Sequence, residues 1–134
     1  MEKLKCIIVD DDEIDRLTVV SFAKRFENLA IVGAFDNAEE ALDTIENTTI
    51  DILFLDIDMP GLSGVELRKR ASAVPACIFI TSHPEFAVES FELDTLDFIV
   101  KPLKFDRFAQ TMRRIEEFLE IKHKALLFES SIGG

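Results

Sequence analysis

The chain has 134 residues, of which 48% are hydrophobic and 31% charged, and it carries a formal net charge of −11. This length and composition favour a single soluble globular domain with a core of its own. So strong a negative charge argues against direct binding to nucleic acid or to an anionic membrane surface. The sequence shows no signal peptide and no apolar run of transmembrane length, so we expect a cytoplasmic protein.

The first predicted strand, Leu4 to Val9, runs directly into four acidic residues, Asp10-Asp11-Asp12-Glu13. A helix follows, because apolar residues recur at helical spacing, at Val19, Phe22, Ala23 and Phe26. Acidic side chains suit the positive end of a helix dipole, so Asp12 and Glu13 are interpreted as helix-start residues. A second strand, Ala30 to Phe35, precedes a capping pair, Asp36-Asn37, and a second helix.

The third predicted strand is a nearly unbroken apolar run from Ile52 to Leu55, a pattern typical of a strand buried on both faces. It ends abruptly at Asp56, followed by Asp58 and the turn signal Pro60-Gly61. Ligands of open α/β sheets bind just beyond the carboxyl ends of the strands, which makes Asp56 a candidate site residue. The alternative for Asp56 alone is that it simply begins a solvated loop.

The rest of the chain continues the alternation. A short helix from about Val65 to Ala73 has a basic run, Arg68-Lys69-Arg70, that we interpret as a solvated face. The fourth strand, Ala76 to Ile80, ends at Thr81, and a helix from Pro84 to about Phe91 follows. The fifth strand, 97–100, ends at Lys101-Pro102. The last helix begins near Phe105, and its apolar stripe indicates either a core-facing side or a dimer seam.

Strand and helix therefore alternate five times, which predicts an α/β fold with a parallel sheet covered by helices on both faces. The strand ends then bring together Asp10-Asp11, Asp56, Thr81 and Lys101. Carboxylates this close repel one another, and hard oxygen ligands without histidine or cysteine favour Mg²⁺ or Mn²⁺ as the counter-charge. Lysine and hydroxyl groups beside the metal are suited to hold a phosphoryl group, with a carboxylate as nucleophile and an aspartyl phosphate as product.

With these motifs in this order, the chain resembles the receiver domain of two-component response regulators over roughly residues 3–121. The resemblance implies a single (βα)5 doubly wound, flavodoxin-like sheet with strand order 2-1-3-4-5. It places a receiver domain at 1–121 and a tail or linker toward a missing effector domain at 122–134. In that order Cys6 and Cys77 lie two strands apart, roughly 10 Å, which is too far for a disulfide, so we predict two free thiols.

The resemblance also implies a role for each site residue. Asp56 accepts a phosphoryl group from a sensor histidine kinase, and Lys101 and Thr81 bind its oxygens. Asp11, Asp56 and the backbone carbonyl of Asp58 bind Mg²⁺ directly, whereas Asp10 acts through a metal-bound water. The switch residues are Thr81 and Phe98, which takes the place of a frequent tyrosine, and Lys101-Pro102 is expected to be a cis peptide.

The segments after Thr81 and before Lys101 look most like those of receivers attached to LytTR-type DNA-binding domains. A homodimer on activation is implied, and the domain is not expected to be an enzyme apart from a weak phosphatase activity on itself. Two alternatives remain. One is a stand-alone phosphorelay or interaction receiver. The other is a haloacid-dehalogenase-type phosphatase, which Asp56-Ile57-Asp58 echoes, although the order of its motifs is reversed here.

Overall fold

The computed structural model describes residues 3–133, with side chains described through residue 127. In this part of the chain, strands and helices alternate as the sequence predicts. The strands are β1 (Leu4–Val9), β2 (Leu29–Phe35), β3 (Ile52–Leu55), β4 (Ala76–Thr81) and β5 (Asp97–Val100). The helices are α1 (Glu13–Ala23), α2 (Ala38–Asn47), α3 (Gly64–Arg70), α4 (Ala87–Phe91) and α5 (Phe105–Gly133), with a 3₁₀ turn at Pro84–Phe86 before α4.

All five strands pair in parallel, in the order β2-β1-β3-β4-β5, so the predicted fold class and strand order are confirmed. Every residue of β3 and β4 is buried. Helices cover both faces of these central strands, which is why their sequences are apolar runs rather than alternating patterns.

The core has two halves, one on each face of the sheet. On one face, α2 and α3 pack through residues such as Ala38, Ala41, Val65 and Leu67. On the other, α1 and α5 pack through Val19, Ala23, Phe108, Met112 and Ile115. The stripe predicted on the last helix therefore faces this domain's own core, since Phe108, Met112 and Ile115 are at most 1% exposed.

The helix starts are set by the residues named from the sequence. Asp12 is the N-cap of α1, and Asn37 is the N-cap of α2, each accepting a hydrogen bond from a backbone N–H of the first turn. The helix ends differ more from those predicted. Helix α1 stops at Ala23, so Phe26 lies beyond it, yet Phe26 still packs against the same side of the core. Helix α3 stops at Arg70 rather than near Ala73.

The prediction that Arg68 belongs to a solvated face was wrong, because Arg68 is 2% exposed. Its guanidinium donates to four backbone carbonyls, those of Ala71, Val74, Leu93 and Asp94, at 2.8 to 3.1 Å. A planar fork of five N–H donors suits this task, and it joins the end of α3 to the loop before β5.

The segment predicted as a tail, 122–134, continues α5 as far as Gly133, with 122–127 exposed. Residues 1, 2 and 134 and the side chains beyond 127 lie outside the described part of the chain.

The two cysteines are buried and free, as predicted. Burial raises the pKa of each thiol to about 12, so both are protonated at neutral pH.

Candidate functional site

The predicted site residues meet at the carboxyl edge of the sheet. Val9 and Leu55, the last residues of β1 and β3, are partners in the parallel register. The residues that follow them, Asp10 and Asp56, therefore leave the sheet side by side, and Asp56 N donates to the Val9 carbonyl at 2.9 Å. Arg16 on α1 donates to the carbonyl of Asp10 at 2.9 Å and helps to hold this strand end in place.

Three carboxylates converge at this edge. Asp10, Asp11 and Asp56 each offer an oxygen within 4.8 Å of the others. Asp10 and Asp56 are 3% and 6% exposed, whereas Asp11 is exposed. The backbone anchors two of the oxygens, because Asp12 N donates to Asp10 Oδ1 at 2.9 Å and Ile57 N donates to Asp56 Oδ1 at 2.8 Å. The cluster is thus anchored by the backbone, buried at Asp10 and Asp56 and open to solvent at Asp11.

Lys101 supplies the positive charge. Its Nζ lies 2.8 Å from Asp10 Oδ2, 2.8 Å from Asp15 Oδ2 and 3.3 Å from Asp56 Oδ2. Burial alone would lower the pKa of Lys101, but the hydrogen bonds to Asp10 and Asp15 outweigh it and raise that pKa above its ordinary value. The ammonium is therefore charged throughout the physiological range. The peptide bond from Lys101 to Pro102 is cis, as predicted.

Asp10 is the most buried carboxylate of this group. The pKa of Asp10 is raised to about 6, mainly by burial and to a smaller extent by the nearby Asp56 carboxylate, against the hydrogen bonds from Lys101 and from the Asp12 N–H. One lysine thus faces a group of carboxylates that it cannot neutralise alone.

Asp15 is a residue of this site that was not predicted from the sequence. It lies in the first turn of α1, where an acidic residue is explained by the helix dipole alone. Its contact with Lys101 joins residues that are 86 positions apart in the chain. The sequence has no local pattern that points to this contact, because Asp15 is one of several acidic residues at the start of α1.

Thr81 ends β4 and is fully buried, and its Oγ1 accepts a hydrogen bond from His83 N at 3.2 Å. Thr81 pairs with Val100 in the sheet register, and Phe98 lies two residues earlier on β5. Successive side chains of a strand alternate between faces, so Thr81 and Phe98 lie on the same face. Phe98 is half-buried and packs against that side of the core.

His83, for which no contact was predicted, bridges two loops at the edge of the site. Its Nε2 is 3.2 Å from the Asp58 carboxylate and its Nδ1 is 3.1 Å from Glu85. The carboxylate of Asp58 is thus directed toward the loop after β4. It is not among the three carboxylates that converge, which are those of Asp10, Asp11 and Asp56.

Two glycines shape the loop that follows Asp56. Gly61 has a φ of 79°, a left-handed conformation that glycine adopts without a Cβ clash. A Cβ at Gly64 would lie 1.9 Å from the carbonyl oxygen of Asp56, so only glycine lets α3 begin this close to the strand end.

The residues fit a hard divalent cation. Asp10, Asp11 and Asp56 offer only oxygen donors, at mutual distances that one ion can bridge. Lys101 is a single ammonium facing the carboxylates of Asp10, Asp15 and Asp56, so negative charge remains uncompensated at this edge. This is the donor set that Mg²⁺ and Mn²⁺ prefer.

Comparison with known proteins agrees with this geometry. The family model of the response regulator receiver domain matches residues 6–113. The chain is a response regulator receiver domain. An uncharacterised response regulatory protein of Shewanella oneidensis is 35% identical over 87% of this chain and 50% of its own length. The sensory transduction protein LytR of Staphylococcus haemolyticus is 33% identical over 84% of this chain and 45% of its own.

Among solved structures, the response regulatory domain of protein mrkE from Klebsiella pneumoniae has a TM-score of 0.82 at 32% identity, covering 87% of this receiver domain and 98% of that chain. The receiver thus spans about half the length of the curated relatives named here, while it matches a solved domain almost from end to end. The LytR relative agrees with the predicted LytTR-type resemblance, and the family leaves the haloacid-dehalogenase alternative without support.

Among the described residues, none of the helices combines the length and apolar character that a membrane span requires.

Proposed function

We propose that this receiver is a phosphoacceptor switch, with Asp56 as the residue that takes the phosphoryl group. The observation that carries the proposal is the meeting of Lys101 with Asp56 and Asp10 at 3.3 and 2.8 Å, beside the exposed Asp11. A buried carboxylate next to a charged lysine and a group of oxygen donors combines a nucleophile with the means to neutralise a phosphoryl group.

The proposed reaction is transfer from a phosphohistidine of a sensor histidine kinase. An Asp56 carboxylate oxygen forms a bond to phosphorus as the P–N bond of the donor breaks, and the freed imidazole nitrogen takes up a proton. Lys101 donates to the phosphoryl oxygens and offsets their charge. The Ile57 N–H, which donates to Asp56 Oδ1 at 2.8 Å, keeps the nucleophile oriented.

The metal ligands proposed are Asp11, Asp56 and the backbone carbonyl of Asp58, with Asp10 acting through a water molecule. When bound, Mg²⁺ or Mn²⁺ would stabilise the negative charge that develops on the phosphoryl oxygens. The exposure of Asp11 leaves an open side from which both the cation and an anionic donor can enter.

Thr81 and Phe98 are the proposed switch. Phosphorylation adds a charge near −2. We infer that Thr81 then gives up its hydrogen bond with His83 N and donates to the phosphoryl group, and that Phe98 repacks into the space it leaves. The signal would reach the surface of α4, β5 and α5, where Val88, Phe91 and Val100 are 77%, 60% and 47% exposed. Apolar side chains displayed in this way suit a homodimer or a docking partner.

The output is proposed to be transcriptional, through a LytTR-type DNA-binding domain. The greater length of the relatives and the LytR name of one of them support this proposal. The net charge of −11 agrees with a receiver that leaves DNA contact to another domain.

The deciding experiment is intact-mass spectrometry after incubation with a small acyl-phosphate donor and Mg²⁺. We expect one added phosphoryl group in the wild type, and none in Asp56→Asn or in the presence of a chelator. Asp51→Asn is the matched control, because Asp51 lies at the opposite end of β3, where it accepts from Lys5 N. An adduct in Asp56→Asn, or none in the wild type, would refute the proposal.

A further inference from the structure

We propose that Asp15 is a positioning residue that holds Lys101 toward α1 and thereby slows phosphorylation of Asp56. The proposal rests on the function proposed for Asp56. It adds a residue from a helix to a site otherwise built from strand ends, and it gives that residue a restraining effect.

The geometry at Lys101 carries the argument. An ammonium group has three N–H donors. Within the described residues, three carboxylates share them: Asp10 at 2.8 Å, Asp15 at 2.8 Å and Asp56 at 3.3 Å. The contact with the phosphoacceptor is the longest of the three, so the ammonium lies closer to Asp10 and Asp15 than to the reacting group.

The start of α1 does not need the Asp15 side chain. In a capping box, the residue three positions after the N-cap returns its side chain to the N–H of the N-cap. Here the N-cap is Asp12, and its N–H already donates to Asp10 Oδ1 at 2.9 Å. Asp12 in turn accepts from the backbone N–H of Asp15 at 2.9 Å. The Asp15 carboxylate is therefore available for Lys101.

Asp15 acts against the reaction in two ways. An incoming donor and the product on Asp56 are both anionic, so a further carboxylate beside Lys101 repels them. Asp15 also retains an N–H donor that the phosphoryl oxygens require. The Asp15 side chain is 40% exposed, so solvent screens the effect, and we expect a change of about two- to fivefold rather than a larger one.

The test compares initial rates of adduct formation from a small acyl-phosphate donor with saturating Mg²⁺. Asp15→Asn and Asp15→Ala are expected to react about two- to fivefold faster than the wild type. Asp15→Glu restores the charge and is expected to return most of the way to the wild-type rate. Glu13→Gln is the matched control: Glu13 is exposed in the same helical turn, and its loss removes the same charge.

Ionic strength distinguishes an electrostatic restraint from a structural change. The advantage of Asp15→Asn should shrink toward zero near 1 M salt, because screening then acts over about 3 Å. A rate for both Asp15→Asn and Asp15→Ala that equals or falls below the wild type overturns the inference alone. An equal gain in Glu13→Gln also overturns it, since net charge would then suffice. A wild type that takes up no phosphate removes the proposed function and this inference with it.

Discussion

Two buried aspartates at opposite edges of the sheet show that burial alone does not determine the pKa of a carboxyl group. Asp10 follows β1 at the carboxyl edge, and Asp97 begins β5 at the amino edge, and they are 3% and 5% exposed. Asp10 shares one lysine with other carboxylates. Asp97 has donors to itself: Arg107 binds both of its oxygens at 2.8 and 2.9 Å, and Thr111, Arg114 and the Phe98 N–H also contact it.

The pKa values of the two carboxyl groups consequently shift in opposite directions. The pKa of Asp10 is raised to about 6, because burial outweighs the hydrogen bond from Lys101. Burial would also raise the pKa of Asp97, but the hydrogen bonds from Arg107 and Thr111 outweigh it and the pKa is lowered. The carboxyl edge retains a surplus of negative charge that a bound cation can offset. At the amino edge, Asp97 finds its partners within the fold, and these contacts join β5 to α5.

The largest effect on stability is expected when the contacts of Asp97, at the amino edge of the sheet, are removed. Asp97→Ala removes the carboxylate that Arg107 binds and leaves Thr111 with only its longer hydrogen bond to the Arg107 carbonyl. We therefore expect the free energy of unfolding to fall by about 3 kcal/mol. Urea denaturation followed by circular dichroism measures it. Arg114→Gln is the control, because the Arg114 side chain is 56% exposed and its contact is longer, 3.2 Å. The control should lose less than about 1 kcal/mol. A change near zero for Asp97→Ala would show that this network does not contribute to stability.

A smaller effect on stability, of opposite sign, is expected at the carboxyl edge of the sheet. Asp10→Asn in metal-free buffer should raise the free energy of unfolding by about 1 to 2 kcal/mol at pH 7, because the ionised carboxylate is disfavoured in the folded state. The loss of the Lys101 ion pair offsets part of this gain.

The pH dependence tests that assignment. The folded pKa of Asp10, about 6, lies above its ordinary value of 3.8, so its contribution to stability is fully present below pH 3.8 and is lost as the pH rises through 6. The advantage of Asp10→Asn should therefore be near zero at pH 4 and complete by pH 7. For Asp97, whose pKa is lowered, stability is present above its ordinary pKa and is lost as the pH falls through the lowered value. Parallel curves for Asp10→Asn and the wild type would contradict the comparison.

The smallest expected effect is stabilisation by Mg²⁺. At a free concentration ten times its Kd, a bound ion adds about 1.4 kcal/mol to the free energy of unfolding. Thermal unfolding should show this shift in the wild type and in Asp97→Asn, and no shift in Asp11→Asn. If Asp11→Asn keeps the full increase in stability with Mg²⁺, the ion does not bind at the carboxyl edge of the sheet.

The local pattern of the sequence was enough for most of the fold. The apolar runs of β3 and β4 predicted buried strands, and both strands are fully buried. Helix ends were less predictable, as at Ala23 and Arg70, because core packing continues past both ends: Phe26 and Val74 pack against the core although they lie outside α1 and α3. Arg68 was misjudged for a related reason: its acceptors are carbonyls, which every residue carries and which leave no pattern in the sequence.

By itself, the sequence determined that Asp10, Asp11, Asp56, Thr81 and Lys101 gather at one edge of a parallel sheet, because strand ends and chain order are local properties. Only the tertiary structure decided which charges share a partner. Asp15 reaches Lys101, and Asp97 meets Arg107, across 86 and 10 positions of the chain. A Coulomb interaction depends on distance in space and on the surrounding solvent. Spacing along the chain determines neither of these.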